Sequence, residues 1–171
     1  MKLFQADFDR QLYAAGCERF IVSPVNSRER LARFVKGARK QLLIYDPKVS
    51  DDVMRRLLVE RVKAGVDVRI IGKLGGRKSE LTAERFPGKR LHVRAIIRDG
   101  RHAFVGSQSL RKLELEKRRE IGIIVNDAGV IRQMQATFEQ DWAETESGKK
   151  ARAATKDEKK DEKVAALAAA S

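Results

Sequence analysis

The run His92-Val93-Arg94-Ala95-Ile96-Ile97-Arg98-Asp99, followed after six residues by Gly106-Ser107, gathers an imidazole, a fixed cation, a carboxylate and a small hydroxyl turn. The histidine and arginine lie two apart in an apolar run, residues 91–97, that reads as a strand, so alternation puts both on one face. These are the parts needed to open a phosphate ester through histidine. A neutral imidazole nitrogen of His92 can attack phosphorus. The planar fork of Arg94 can hold two phosphate oxygens. Ser107 can donate a hydroxyl, and Gly106 lets backbone approach closely. An acceptor must orient the ring through its other nitrogen, and Glu120, just before the apolar run 121–125, is the candidate.

The surrounding pattern predicts elements able to hold these groups. Residues 6–15 read as a weak helix stopped by Gly16, and residues 19–23 as a short strand ended by Pro24. Asn26 or Ser27 caps a helix with Leu31, Phe34, Val35 and Ala38 on one face. Residues 41–45 form a buried strand ended by Asp46-Pro47. Ser50 then caps a helix that Gly65 ends, and residues 66–71 are another strand. Residues 73–89, rich in charge, glycine and proline, read as a long loop of the kind that carries function. The His92 strand and residues 102–105 form a hairpin about Asp99-Gly100. Residues 110–119 are a loop or short helix, residues 121–125 the last strand, and Asp127 caps a final helix with Val130, Ile131, Met134, Phe138 and Trp142 on its apolar positions. Alternating strands and helices predict an α/β layered sheet flanked by helices.

Composition narrows the functional classes. The 171 residues carry a formal charge of +13, which attracts polyanions: nucleic acid, anionic headgroups or other phosphate esters. Aromatic residues are few, so base stacking on aromatic platforms is not the main binding device. Cys17 is the one cysteine and His92 and His102 the only histidines, which leaves no disulfide and no cysteine-rich or His/Glu metal site. No apolar run is long enough to span a bilayer, and the N-terminus is charged where a signal peptide is apolar. The expectation is a cytoplasmic protein, at most peripheral to the membrane. Residues 1–18 read as a helical lead-in, 19–146 as the folded domain, and 147–171 as a Lys/Glu/Ala tail, disordered or loosely helical.

The spacing His92-x-Arg94-x4-Asp99-x6-Gly106-Ser107 resembles the HKD motif of the phospholipase D superfamily, H-x-K-x4-D-x6-G-S-x-N. The resemblance extends over residues 19–144. Arg118-Arg119-Glu120-Ile121 is similar to the family's acidic residue before its next strand, and Ser23-Pro24-Val25-Asn26-Ser27 to the opening of the second repeat in cardiolipin-synthase-like members. It implies a phospholipase D-like α/β fold of a single repeat and a metal-independent phosphodiesterase or phosphatidyltransferase without cofactor. By position, His92 would form a phosphohistidine or serve the leaving group, Arg94 would stand for the phosphate-binding lysine, and Ser107 would touch phosphate. Glu120 would orient the histidine, while Asp99 and Gly106 would be structural. Ser109, Arg118 and Arg119 are further candidates for phosphate contact, as are Lys73, Arg77 and Lys78.

Three departures stand out. The lysine is Arg94, bulkier and less hydrated. The asparagine is Ser109, shorter and without an amide; Gln108 beside it points the other way in an extended segment. Only one motif is present, whereas family catalysis uses two facing each other, and His102 lacks the motif around it. The second half comes either from a symmetric dimer, as in the family's short nucleases, or from another part of a longer chain, the reading favoured by the opening residues. The resemblance favours phospholipid as substrate. The alternatives are a nuclease with the same chemistry and a degenerate module that only binds polyanions.

Overall fold

The computed structural model describes residues 2–13, 16–76 and 80–155. Its centre is a six-stranded sheet. In chain order the elements are α1 (Lys2–Phe8), β1 (Phe20–Val22), α2 (Ser27–Lys36), β2 (Gln41–Val49), α3 (Asp52–Lys63), β3 (Asp67–Leu74), β4 (Ala95–Arg98), β5 (His102–Gly106), α4 (Lys112–Glu116), β6 (Ile121–Val125) and α5 (Ala128–Ala143). The strand order is β1-β6-β5-β4-β2-β3, with β2 and β3 parallel and every other neighbouring pair antiparallel. This is the α/β layered sheet that the alternation predicts.

Two apolar layers sandwich the sheet. On one side α2 and α3 bury Leu31, Phe34, Val35, Met54 and Leu58 against Leu42, Ile44, Ile70, Ile96 and Phe104. On the other, α5 lays Ile131 and Phe138 on Leu43, Tyr45, Ile71, Ala95, Ile97 and Ala103. Burying side chains of this size is worth about 1.5–3 kcal/mol each, which fixes the register of the strands. Asp127 caps α5 by accepting from the Val130 N–H at 2.8 Å. Asp51, rather than the expected Ser50, caps α3 by accepting from Met54 N–H at 3.0 Å. Either residue type can cap; Asp51 wins because its second oxygen also meets Arg28 at 2.6 Å.

Several boundaries differ from the sequence expectation. The first helix is Lys2–Phe8, not 6–15. Asp46-Pro47 does not end β2, which continues to Val49 through a register irregularity. Proline is tolerated there because β4 stops pairing at Tyr45 and leaves that side of β2 open. Strand β4 begins at Ala95, so His92 and Arg94 sit on the irregular segment entering it. Segment 110–119 resolves as the short helix α4 with turns on either side. In the tail, residues 147–155 are helical; 156–171 lie outside the described residues.

The long loop after β3 is not free. Glu84 forms a parallel bridge with Ile71, donating its N–H to Ile70 O at 2.8 Å and accepting from Gly72 N–H at 2.7 Å. This covers part of the β3 edge and fixes the loop that leads to His92. Gly72 has φ +153°, and a Cβ there would fall 1.8 Å from the Asp46 carbonyl oxygen. Only glycine lets β2 and β3 approach this closely beside the bulge.

Candidate functional site

One end of the sheet collects nearly all the chemistry-bearing residues. The C-terminal ends of β1, β2, β3 and β5 and the N-terminal ends of β4 and β6 meet there, as the pairings Tyr45–Ala95, Ala95–Val105, Gly106–Gly122 and Val22–Ile121 require. Backbone bonds extend the ladder past the strands: Gly106 N–H to Arg94 O at 3.2 Å, Ser107 N–H to Ile121 O at 2.9 Å, and Ser23 N–H to Glu120 O at 2.9 Å. His92, Arg94, Ser107, Ser109 and Glu120 thus converge on one rim although they span residues 92–120.

His92 is exposed and Arg94 half-buried. The Arg94 guanidinium donates to the His92 carbonyl at 3.2 Å, and its Nη1 lies 3.3 Å from His92 Nδ1. A guanidinium has donors only, so Nδ1 is the acceptor in this contact and the neutral ring carries its proton on Nε2. Arg94 Nε donates to Ser109 Oγ at 3.0 Å. The two departures from the motif therefore touch: the longer cation reaches the shorter hydroxyl.

Beneath them lie two carboxylates that sequence reasoning passed over. Asp46 is 2 % exposed; it accepts from Leu110 N–H at 2.7 Å and Lys48 N–H at 2.8 Å, and bonds the Ser109 hydroxyl. Burial pushes its carboxyl above the usual range, and these hydrogen bonds only partly offset that. Glu114, also 2 % exposed, accepts from Ser109 N–H at 2.7 Å and pairs with Arg111 at 3.2 Å. Asp46 reads in sequence as a strand stop, and Glu114 as one charge among many. The missing signal was tertiary: α4 folds against the first turn of α2, where Ser27 Oγ donates to Leu115 O at 2.7 Å and Arg28 grips Glu116 at 2.6 Å.

The other expected residues are placed as follows. Ser107 Oγ accepts from Ile121 N–H at 3.1 Å and lies 3.3 Å from Ile121 O, so its hydroxyl faces β6. Gly106 has no room for a side chain, since a Cβ would lie 2.6 Å from Gln108 Oε1 and 2.8 Å from Gly122 Cα. Gln108 turns inward, 1 % exposed, as the extended backbone predicts. Among the described residues, the Glu120 side chain makes no hydrogen bond or ion pair, and none joins it to His92. Arg118 approaches Glu114 at 3.9 Å. Arg119 is held by Asp7 at 2.6 Å and donates to Ser23 O at 3.0 Å, which ties α1 to the rim. Lys73 is at the rim; Arg77 and Lys78 lie outside the described residues.

Asp99 stands apart, in the hairpin turn at the opposite end of the sheet. Its carboxylate accepts from Arg39, Lys40 and Gln41 N–H groups at 2.7 to 3.1 Å. Burial alone would raise its pKa, but these donors and Arg98 hold it below the ordinary carboxylate range. His102 is at that end too, opposite Arg98, far from His92. No group of three or more His, Cys, Asp or Glu side chains able to hold a metal occurs among the described residues. No helix among them is long and apolar enough to cross a membrane.

Comparison with known proteins places this geometry. Residues 31–142 match the family described as "Cardiolipin synthase, PLD-like domain". The mouse 5'-3' exonuclease PLD4 is 27% identical over 81 residues, which cover 47% of this chain and 16% of that protein. The chain thus spans about a sixth of the curated relative it matches. Among solved structures, the phospholipase D family member Nuc from Salmonella typhimurium superposes with a TM-score of 0.64 at 16% identity, over 74% of this chain and 94% of that one. NucT from Helicobacter pylori gives 0.63 at 14%, over 74% and 95%.

Proposed function

The chain belongs to the phospholipase D-like domain family, and from that premise we propose that it is one half of a histidine-dependent phosphodiesterase. The observation that carries this reading is the convergence of His92, Arg94 and Ser109 on one rim over a buried carboxylate. Arg94 holds the non-bridging oxygens of the phosphate. One histidine attacks phosphorus; the P–O bond to the leaving group breaks as a second histidine gives that oxygen its proton. Water then opens the phosphohistidine, returning its proton to the second histidine, or an alcohol does so in a transfer reaction.

A proton donor must be the imidazolium, protonated on both nitrogens, so the Arg94 contact at Nδ1 has to break before His92 can fill that role. A phosphate that draws Arg94 off Nδ1 frees the ring for the other tautomer, which the nucleophile needs. Glu120, unpaired and just before β6, is the acceptor proposed for Nδ1–H. Asp99 keeps a structural part, fixing the hairpin rather than touching substrate. The second histidine comes from another copy or another segment of the same family. Support for such a partner is an uncovered apolar strip at the rim: Val105 is 39%, Ile121 48% and Ile123 48% exposed.

Phospholipid was the expected substrate. The matched relative is a 5'-3' exonuclease by name, which favours nucleic acid for this chain. The test is turnover of a chromogenic phosphodiester in the presence of EDTA. Wild-type protein should show activity that rises faster than linearly with concentration, and His92→Ala should lower it at least a thousandfold, the scale of losing a covalent catalyst. Unchanged turnover in His92→Ala would remove this reading. Binding of polyanions by a verified dimer without turnover would leave the non-catalytic alternative.

A further inference from the structure

Beside the His92 rim lies a cleft of about 830 Å³ between the ends of β2 and β3 and the loop 85–91. Six cations line it: Lys48, Lys73, Arg85, Lys89, Arg90 and Arg111. No carboxylate among the described residues does. Among the described residues only Arg111 of the six has an ionic partner, Glu114 at 3.2 Å. Like charges gathered in a concave wall repel one another and focus a positive potential, an arrangement that a multiply charged anion relieves. A single phosphodiester is already served by Arg94 and His92, so the additional cations call for additional phosphates.

A second cavity of about 270 Å³ adjoins the cleft. The two share Phe86, Arg90 and Leu91, and the smaller one is walled by Tyr45, Val93 and Met134 with His92 at its edge. Its lining is almost wholly apolar, and at its base the Tyr45 hydroxyl is occupied by Asp141. A ligand that fills both cavities carries a row of phosphates beside a flat apolar group. A bilayer presents its phosphates as a plane and cannot enter a concave cleft roofed by a loop. A duplex keeps its bases stacked inside.

We propose that the cleft between β2, β3 and the loop 85–91 is a subsite for the phosphates flanking the scissile one in a single-stranded nucleic acid, with an unstacked base in the adjoining apolar pocket. The placement of the scissile phosphate rests on the phosphodiesterase reading above; the binding does not. Backbone phosphates supply the affinity and the salt dependence. Base packing against Phe86 and Leu91 distinguishes single strands from duplexes.

The test measures binding of a fluorescent single-stranded 12-mer to His92→Ala protein by anisotropy across a salt series. The triple variant Lys73→Ala/Arg85→Ala/Lys89→Ala, all exposed, the first near the end of β3 and the others in the loop, should bind at least tenfold more weakly and lower the slope of log K against log salt by about two. Lys36→Ala/Arg39→Ala/Lys40→Ala, an equal change of charge at the opposite end of the sheet, should leave that slope within half a unit. Phe86→Ala should cost about tenfold for the single strand and leave the slope unchanged. Equal losses in the two triple variants, a duplex bound as tightly as the single strand, or loss of binding to phosphatidylglycerol vesicles with oligonucleotide binding kept would each overturn the proposal. Intact oligonucleotide binding in a wild-type dimer that turns over no phosphodiester would instead defeat only the phosphodiesterase reading.

Discussion

At the scale of single residues, the two departures from the family's motif explain each other. Arginine is longer than the lysine it replaces, and serine is shorter than asparagine. Serine leaves room and receives Arg94 Nε at 3.0 Å, while Asp46 takes the serine hydroxyl from below. The pair is then one working unit, and the signature of a unit is non-additivity. Arg94→Lys alone shortens the cation away from Ser109, and Ser109→Asn alone crowds Arg94. Each should lower kcat/KM on a chromogenic phosphodiester by about ten- to a hundredfold. The double variant, which restores the family's own pair, should recover at least half of the combined loss in logarithmic terms, a coupling of about 1–2 kcal/mol. Strictly additive losses would mean that positions 94 and 109 act apart.

At the scale of elements, Asp99 binds the β4–β5 hairpin to the start of β2 through three backbone N–H groups. Its φ of +54° belongs to the left-handed region, which Asn tolerates and Ala does not. Asp99→Ala should therefore destabilise the fold by about 2–4 kcal/mol, read as a fall in the midpoint of urea unfolding, and Asp99→Asn by less. The folded pKa of Asp99 lies below its unfolded value, so its contribution is full above the unfolded carboxylate range. It fades as pH falls through the folded value. The stability gap between wild type and Asp99→Asn should narrow on acidification below about pH 4. A gap independent of pH would show that charge has no part in the turn.

The same scale shows what was legible in the sequence. Spacing alone marked the hairpin, because Asp99-Gly100 between alternating runs has few other solutions and both residues take positive φ. The helix faces followed from period except at Val130, expected on the apolar face of α5 but 45% exposed. What local pattern could not carry was Asp46. Its role depends on Leu110 N–H and Ser109, more than sixty residues away in sequence, and an Asp-Pro pair after an apolar run reads as a strand end. Glu114 was hidden similarly, since only the packing of α4 against α2 and the 109–111 turn removes it from water. The bulge past Asp46 and the glycine at position 72 are two halves of one close approach. Neither is visible until the parallel pairing of β2 and β3 is known.

At the scale of the whole molecule, the sheet is covered unevenly. The α5 layer protects Ala95, Ile97 and Ala103 but stops short of the β5–β6 end. Alternation and register place Val105 and Ile123, direct partners, on that same face, with Ile121 one pleat further along β6. These three are 39%, 48% and 48% exposed, beside the rim that carries His92. An apolar strip beside the proposed half-site is where the proposed partner half would dock, because a second histidine would have to reach the same phosphate. If that half is a second copy, two-fold symmetry pairs strip with strip and brings two His92 residues together. Sedimentation equilibrium should then show a dimer at micromolar concentration. Ile121→Lys/Ile123→Lys, which buries four charges across the two-fold axis, should weaken it by at least a hundredfold, about 3 kcal/mol, and remove turnover in parallel. The fold should survive, since both side chains already face water in the single chain. A double variant that dimerises and turns over as wild type does would exclude this face. A monomeric wild type would assign the second motif to a different segment rather than to a second copy.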